Sequence, residues 1–289
     1  MDLETWTDGQ EGATVTVDGH ELGMAYRDDG PDGASTGENG DGEDTPVVFL
    51  HGIPTWSFLW REVAPAIAAD RRVIVPDLVG YGNSAMHDGF DRSIRAQEEA
   101  LADLLDGLGL DRVSIVAHDI GGGVALRYAA HNPESVEALV LSNAVCYDSW
   151  PVQFVSDLGL PDTTETPIEE LETQVSGAFE LGVYAEEADP EFVEGLAAPW
   201  LSAEGRTSLA RCAVATNTNH TTEIDYGEIE ADLLCLWGVE DSFQPIEYGE
   251  RLAAELDGEL IGLEEAYHWV VEDRTEAYVE ELRAFLGGA

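Results

Sequence analysis

The chain has 289 residues, with 59 Asp plus Glu against 13 basic residues, all of them arginine, for a formal net charge of −46. That balance leaves no basic patch for nucleic acid, no apolar run is long enough to cross a bilayer, and the acidic N-terminus does not read as a signal peptide. A cytoplasmic protein with one large α/β domain is expected, in surroundings salty enough to screen its self-repulsion. Cys146, Cys212 and Cys235 lie far apart, so neither a metal site nor a disulfide framework is expected.

In chain order, residues 13–27 alternate apolar and polar around Asp18-Gly19, a hairpin signal. Residues 28–45 are glycine- and acid-rich and read as a mobile solvated loop. Val47-Val-Phe-Leu50 is a buried strand, 57–68 a helix, Val73-Ile-Val75 a strand and 93–108 a helix. Val113 to Ala117 is a strand that runs through one sharp turn into a helix opening on Gly121-Gly-Gly123 and ending near Pro133. Val136 to Leu141 is the next strand. Strand–helix alternation implies right-handed crossovers and a mostly parallel central sheet flanked by helices. The alternation stops near Cys146: residues 147–227 hold helical stretches at 167–185 and 190–212 and few strand-like runs. It resumes with Leu233–Trp237, a helix at 246–256, Leu260–Leu263 and a last helix at 274–286. The expected division is a core of residues 1–146 and 228–289 with an inserted helical cap of 147–227.

The turn at Ala117-His-Asp119-Ile-Gly121 has the spacing of a nucleophile elbow, with Asp where a serine usually stands. A carboxylate is ionised at neutral pH and needs no base to activate it. It can attack an sp3 carbon and form an alkyl ester. Three further signals follow the expected order of this architecture. His51-Gly-Ile-Pro-Thr-Trp-Ser57 follows a strand, and the amide of Ile53, with that of Ile120, can serve as an oxyanion donor. Asp241 lies just past the strand ending in Trp237-Gly238, with Glu240 and Asp148 as rival acids. His268 lies in the loop after the last strand. His118 reads as a packing residue at the elbow, and Arg127 is too far along its helix to bind substrate.

On these residues the chain resembles the α/β-hydrolase superfamily, and within it the Asp-nucleophile branch of haloalkane dehalogenases and soluble epoxide hydrolases. The His51–Ser57 segment and Leu139-Val-Leu-Ser-Asn143-Ala are most similar to the dehalogenases, while the charge balance resembles proteins of halophilic archaea. The resemblance implies Asp119, Asp241 and His268 as catalytic residues, no cofactor and a small apolar organic substrate. Dehalogenases hold the leaving halide with side-chain donors at the positions of Ile120 and often Ile53, and neither isoleucine can donate. Trp56, Asn143, Trp150 and Trp200 are candidate replacements, and Tyr184 is the candidate acid for epoxide opening. A non-catalytic ligand-binding protein on the same scaffold is the alternative of another class.

Overall fold

A computed structural model describes residues 1–31 and 45–288. Eight strands form one sheet in the order β1-β2-β4-β3-β5-β6-β7-β8: β1 Glu11–Val17, β2 His20–Asp29, β3 Val47–Leu50, β4 Val73–Pro76, β5 Val113–His118, β6 Val136–Ser142, β7 Asp232–Gly238 and β8 Glu259–Leu263. β1 and β2 form the expected antiparallel hairpin, β2 pairs antiparallel with β4, and every pairing from β4 to β8 is parallel. The central strands β3, β4 and β5 are buried at every position, as continuous apolar runs must be when helices cover both faces.

Helix α1 (Leu3–Asp8) precedes the sheet, α2 (Val63–Ala68) and α3 (Ile94–Gly107) link the first parallel strands, and α4 (Ile120–His131) follows β5. α3 is capped by Ser93, whose hydroxyl accepts from the Ala96 amide. Between β6 and β7 the described chain is helical only: α5 (Gln153–Leu158), α6 (Ile168–Leu181), α7 (Pro190–Ala197), α8 (Ala203–Val214) and α9 (Asn219–Thr222), with short 3-10 turns. α10 (Ile246–Glu255), α11 (Val270–Asp273) and α12 (Thr275–Leu286) complete the chain.

Four expectations shift in detail. The helix expected at 57–68 is a 3-10 turn at Ser57–Trp60 followed by α2. The stretch 190–212 breaks around Pro199 into α7 and α8, because proline has no N–H to continue the ladder. α6 stops at Leu181, before the Gly182 cap, rather than at 185. The acidic segment starts later than 28: Asp28 and Asp29 finish β2, where Arg72 pairs with Asp28 and Arg27 with Asp29. The mobile-loop reading of the remainder falls largely on residues 32–44, outside the described residues. The three cysteines are buried and free. No helix among the described residues is long and apolar enough to cross a membrane.

Candidate active site

The site grows from the end of β5. Asp119 adopts φ 50° and ψ −123°, a conformation that a side-chain-bearing residue enters only under constraint. Two glycines supply the constraint. A Cβ on Gly121 would meet the carbonyl oxygens of Leu50 and His51 at 2.6 Å, and a Cβ on Gly52 would meet the Asp119 side chain at 2.4 Å. The turn therefore presses against the loop after β3 and lifts the carboxylate above the sheet.

That loop is fixed from within. His51 is fully buried, and its Nε2 accepts from the Leu78 amide at 2.9 Å, so Nδ1 carries the proton and donates to the Gly52 carbonyl at 2.8 Å. Burial depresses its pKa to about 4 and keeps the ring neutral. The Ile53 amide, held by this loop, donates to Asp119 Oδ1 at 2.8 Å, and the adjacent Ile120 amide also favours the ionised form of that carboxylate. Burial dominates that carboxyl and raises its pKa above the ordinary range, although His268 and the two amides pull the other way.

Asp241 and His268 meet as the chain order implies. His268 Nδ1 lies 2.8 Å from Asp241 Oδ2, and His268 Nε2 lies 3.9 Å from Asp119 Oδ2. The second distance is too long for a hydrogen bond. Asp241 is saturated with donors: the Phe243 amide donates to Oδ1 at 2.7 Å and Asn143 Nδ2 to Oδ2 at 2.6 Å. Burial opposes its ionisation, but the His268 charge and these hydrogen bonds prevail, and its pKa is lowered. Burial likewise opposes protonation of His268, yet Asp241 and then Asp119 outweigh it, and the His268 pKa is raised. The rival acids lie elsewhere: Glu240 and Asp148 are exposed, and neither bonds His268.

The remaining candidates separate sharply. Asn143 is not free to hold a leaving group, because Nδ2 is committed to Asp241 and Oδ1 accepts from the Gly238 amide at 3.1 Å. Its φ of 45° is one that asparagine tolerates better than most residues. The Trp56 indole donates to the Gly195 carbonyl at 2.9 Å and that of Trp200 to the Pro54 carbonyl at 2.7 Å, which removes both as free donors. Tyr184 is 43% exposed and packs on Tyr267, outside the cavity that holds Asp119. Trp150 alone among these candidates is in place. It is buried, lines that cavity, and its Nε1–H has no hydrogen-bond partner.

The cavity measures about 20 Å³ and is walled by Ile53, Phe154, Phe243 and Trp269, among others, with Asp119 and His268 on its floor. Gln244 also lines it, 1% exposed, with a carboxamide oxygen that no donor reaches. Neither Gln244 nor Phe154 carries a sequence signal of its own. Gln244 is legible only as a polar residue three positions after Asp241. His118 is buried against His268 and Trp269, and burial, with His268 beside it, pushes its pKa well below the usual value. Arg127 is tied to Glu98 and Glu223 rather than to the cavity. His220 in α9 is buried, and its carbonyl accepts from Arg127 at 3.0 Å. Among the described residues no group of three or more His, Cys, Asp or Glu is placed to hold a metal ion.

An eight-stranded, mostly parallel sheet carrying a strained strand-to-helix elbow defines an α/β hydrolase. The alpha/beta hydrolase fold family model matches residues 45–275, and the chain belongs to that family. Haloalkane dehalogenase 2 of Mycobacterium tuberculosis (strain ATCC 25618 / H37Rv) is 27% identical over 253 residues, covering 81% of this chain and 85% of that protein. Cis-3-alkyl-4-alkyloxetan-2-one decarboxylase of Shewanella oneidensis is 34% identical over 131 residues, 44% of this chain, and the match spans only 38% of that protein. Soluble epoxide hydrolase of a Corynebacterium is 38% identical over 117 residues, 38% of this chain and 40% of its own. Among solved structures, an alpha/beta hydrolase fold protein from Burkholderia ambifaria superposes with a TM-score of 0.81 at 28% identity, over 93% of this chain and 96% of its own.

Proposed function

We propose that the protein hydrolyses a carbon–halogen bond through a covalent ester on Asp119. The observation that carries this reading is the gap of 3.9 Å between His268 Nε2 and Asp119 Oδ2, beside the amide of Ile53 held on Asp119 Oδ1. A serine nucleophile needs its base within hydrogen-bond reach to take its proton. A carboxylate does not, and its histidine has to reach a water instead. The Ile53 amide also holds the atom that this chemistry requires. When water attacks the ester carbon, the oxyanion forms on the aspartate's own carboxyl oxygen, and Ile53 already donates to that group, with the Ile120 amide next in the chain to join it.

Asp119 Oδ2, the oxygen not held by Ile53, displaces the halide from an sp3 carbon; the carbon–halogen bond breaks and an alkyl ester forms. His268, oriented by Asp241, takes a proton from water, and the hydroxide adds to the Asp119 carboxyl carbon. Collapse expels the alkoxide, which takes the proton from His268 and leaves as alcohol, and the Asp119 carboxyl group loses its new proton to solvent, which restores the carboxylate and accounts for the proton released with the halide. Trp150 donates its unpartnered N–H to the departing halide. The helical insertion acts as the cap that excludes water from this exchange, with the flanking sheet elements as the core.

Epoxide opening uses the same attack, but Tyr184 stands outside the cavity, and among the described residues no tyrosine lines it to protonate the opening oxygen. An oxetan-2-one, as in the name of the Shewanella relative, also offers a breakable sp3 carbon–oxygen bond. The test is a panel of bromoalkanes, epoxides and an oxetanone in concentrated KCl, read as bromide and organic product, with Asp119→Ala as control. Asp119-dependent bromide release is expected. Turnover in water carrying heavy oxygen should place the label in Asp119 after one cycle. Binding without turnover, indifferent to Asp119→Ala, would replace this reading with a non-catalytic ligand-binding role.

A further inference from the structure

The cavity around Asp119 is too small for the molecules it is read to transform. A single water needs about 10–15 Å³ by the same measure, and the cavity offers about 20 Å³. A second chamber of about 590 Å³ adjoins it. Phe154 of α5, Ala178 of α6 and Phe243 of the loop after β7 line both, so these three side chains are the partition between them. Beyond the partition Leu158, Leu160 and Leu181 offer apolar surface to the outer chamber, and Leu160 and Leu181 are exposed by 54% and 76%. Exposed leucines lining a cavity give an apolar ligand something to cover. Thr163, Thr166 and Gln174 and the acids Asp157, Asp162 and Glu170 complete the wall, and among the described residues no arginine lines either chamber.

We propose that the outer chamber binds the alkyl tail of an elongated, uncharged substrate whose reacting carbon and leaving group occupy the inner cavity against Asp119. The part concerning the reacting carbon rests on the function proposed above; the tail site does not. The tail passes between Phe154 and Phe243, whose side chains swing aside to admit it. The carboxylates disfavour anions, so chains ending in a carboxylate are rejected even when their length fits. Short haloalkanes reach Asp119 but forgo the outer contacts.

Gly177 provides the variant. It lines the outer chamber and not the inner one, and a Cβ built there meets nothing within 4 Å. Gly177→Phe therefore fills the chamber without a clash at its base, and exchanging a mid-helix glycine favours α6. Two measurements are made on the full chain. The first is kcat/KM for bromoalkanes from bromoethane to bromodecane and for ω-bromocarboxylates of matching length. The second is calorimetric binding of butanol, hexanol and octanol to wild type and to Gly177→Phe.

Up to about fourfold in kcat/KM is expected for each methylene that enters the chamber, levelling off once it is full. The carboxylates should lack that gain, and Gly177→Phe should collapse the long-to-short ratio. Length-dependent alcohol affinity that Gly177→Phe abolishes, without Asp119-dependent turnover, would uphold the tail site and overturn the proposed reaction. Asp119-dependent turnover that is flat with chain length would uphold the reaction and overturn the tail site. A length dependence that survives Gly177→Phe would also overturn the tail site.

Discussion

The floor of the inner cavity and its walls obey opposite rules. On the floor, both Asp241 oxygens are hydrogen-bonded, Asn143 uses both ends of its amide, and Asp119 Oδ1 is held by the Ile53 amide. On the walls, Trp150 Nε1 and Gln244 Oε1 are buried without partners. Unmade hydrogen bonds in a buried place are costly, and they are retained where a ligand can make them. In the proposed reaction, groups that carry charge are thus preorganised before substrate arrives, and Trp150, which meets the leaving group, is left open.

The contrast is broken most strongly on the floor. Asp119→Ala should reduce bromide release by about 10⁴-fold or more, while His268→Gln should still form the ester and accumulate it as a mass adduct on the Asp119 peptide. Trp150→Phe tests the wall: loss of one donor to developing charge is expected to lower kcat by roughly 10²-fold. If kcat is unchanged, the halide is held elsewhere. Asn143→Gly removes the carboxamide and keeps a residue that accepts positive φ; about a tenfold loss is expected, as for removal of a group that orients a catalytic partner.

The pH profile gives a finer test. His268 must be neutral to accept a proton, and its pKa is raised in the folded protein. Ester hydrolysis should therefore rise with pH through a midpoint above the ordinary histidine value of about 6.5. Asp241→Asn removes the main charge that raises it, and the midpoint in single-turnover kinetics should fall. The smallest effect sharpens the contrast by its sign. Gln244→Leu deletes an unpartnered buried carboxamide, so it should stabilise the free protein by about 1 kcal/mol, roughly 2 °C in Tm, while lowering activity on the preferred substrate.

Where the sequence is legible, the reason is local. The run from Val113 to Gly123 contains a buried strand, Asp119 and the glycines that its turn requires, so the fold and the proposed nucleophile are written together. Asp241 and His268 are legible because each follows a strand of the same sheet. Asn143 shows the limit: it was a leaving-group candidate because its side chain can donate, but which acceptor it meets depends on β6 lying beside β7. Trp56, Trp150 and Trp200 are equivalent as residue types, and three different backbone settings give two of them carbonyl partners and leave one open.

Sequence by itself determined the hydrolase fold, the strand–turn–helix that carries Asp119, and the order in which acid and histidine follow it. Periodicity, glycine placement and residue chemistry act over a few positions, so they survive in one dimension. Only the tertiary structure decided which of the three candidate indoles is free, that Tyr184 stands outside the inner cavity, and that Phe154, Ala178 and Phe243 lie between that cavity and a larger outer one. Those outcomes depend on how helices of the insertion pack over the sheet, a competition among many weak contacts between residues far apart in the chain.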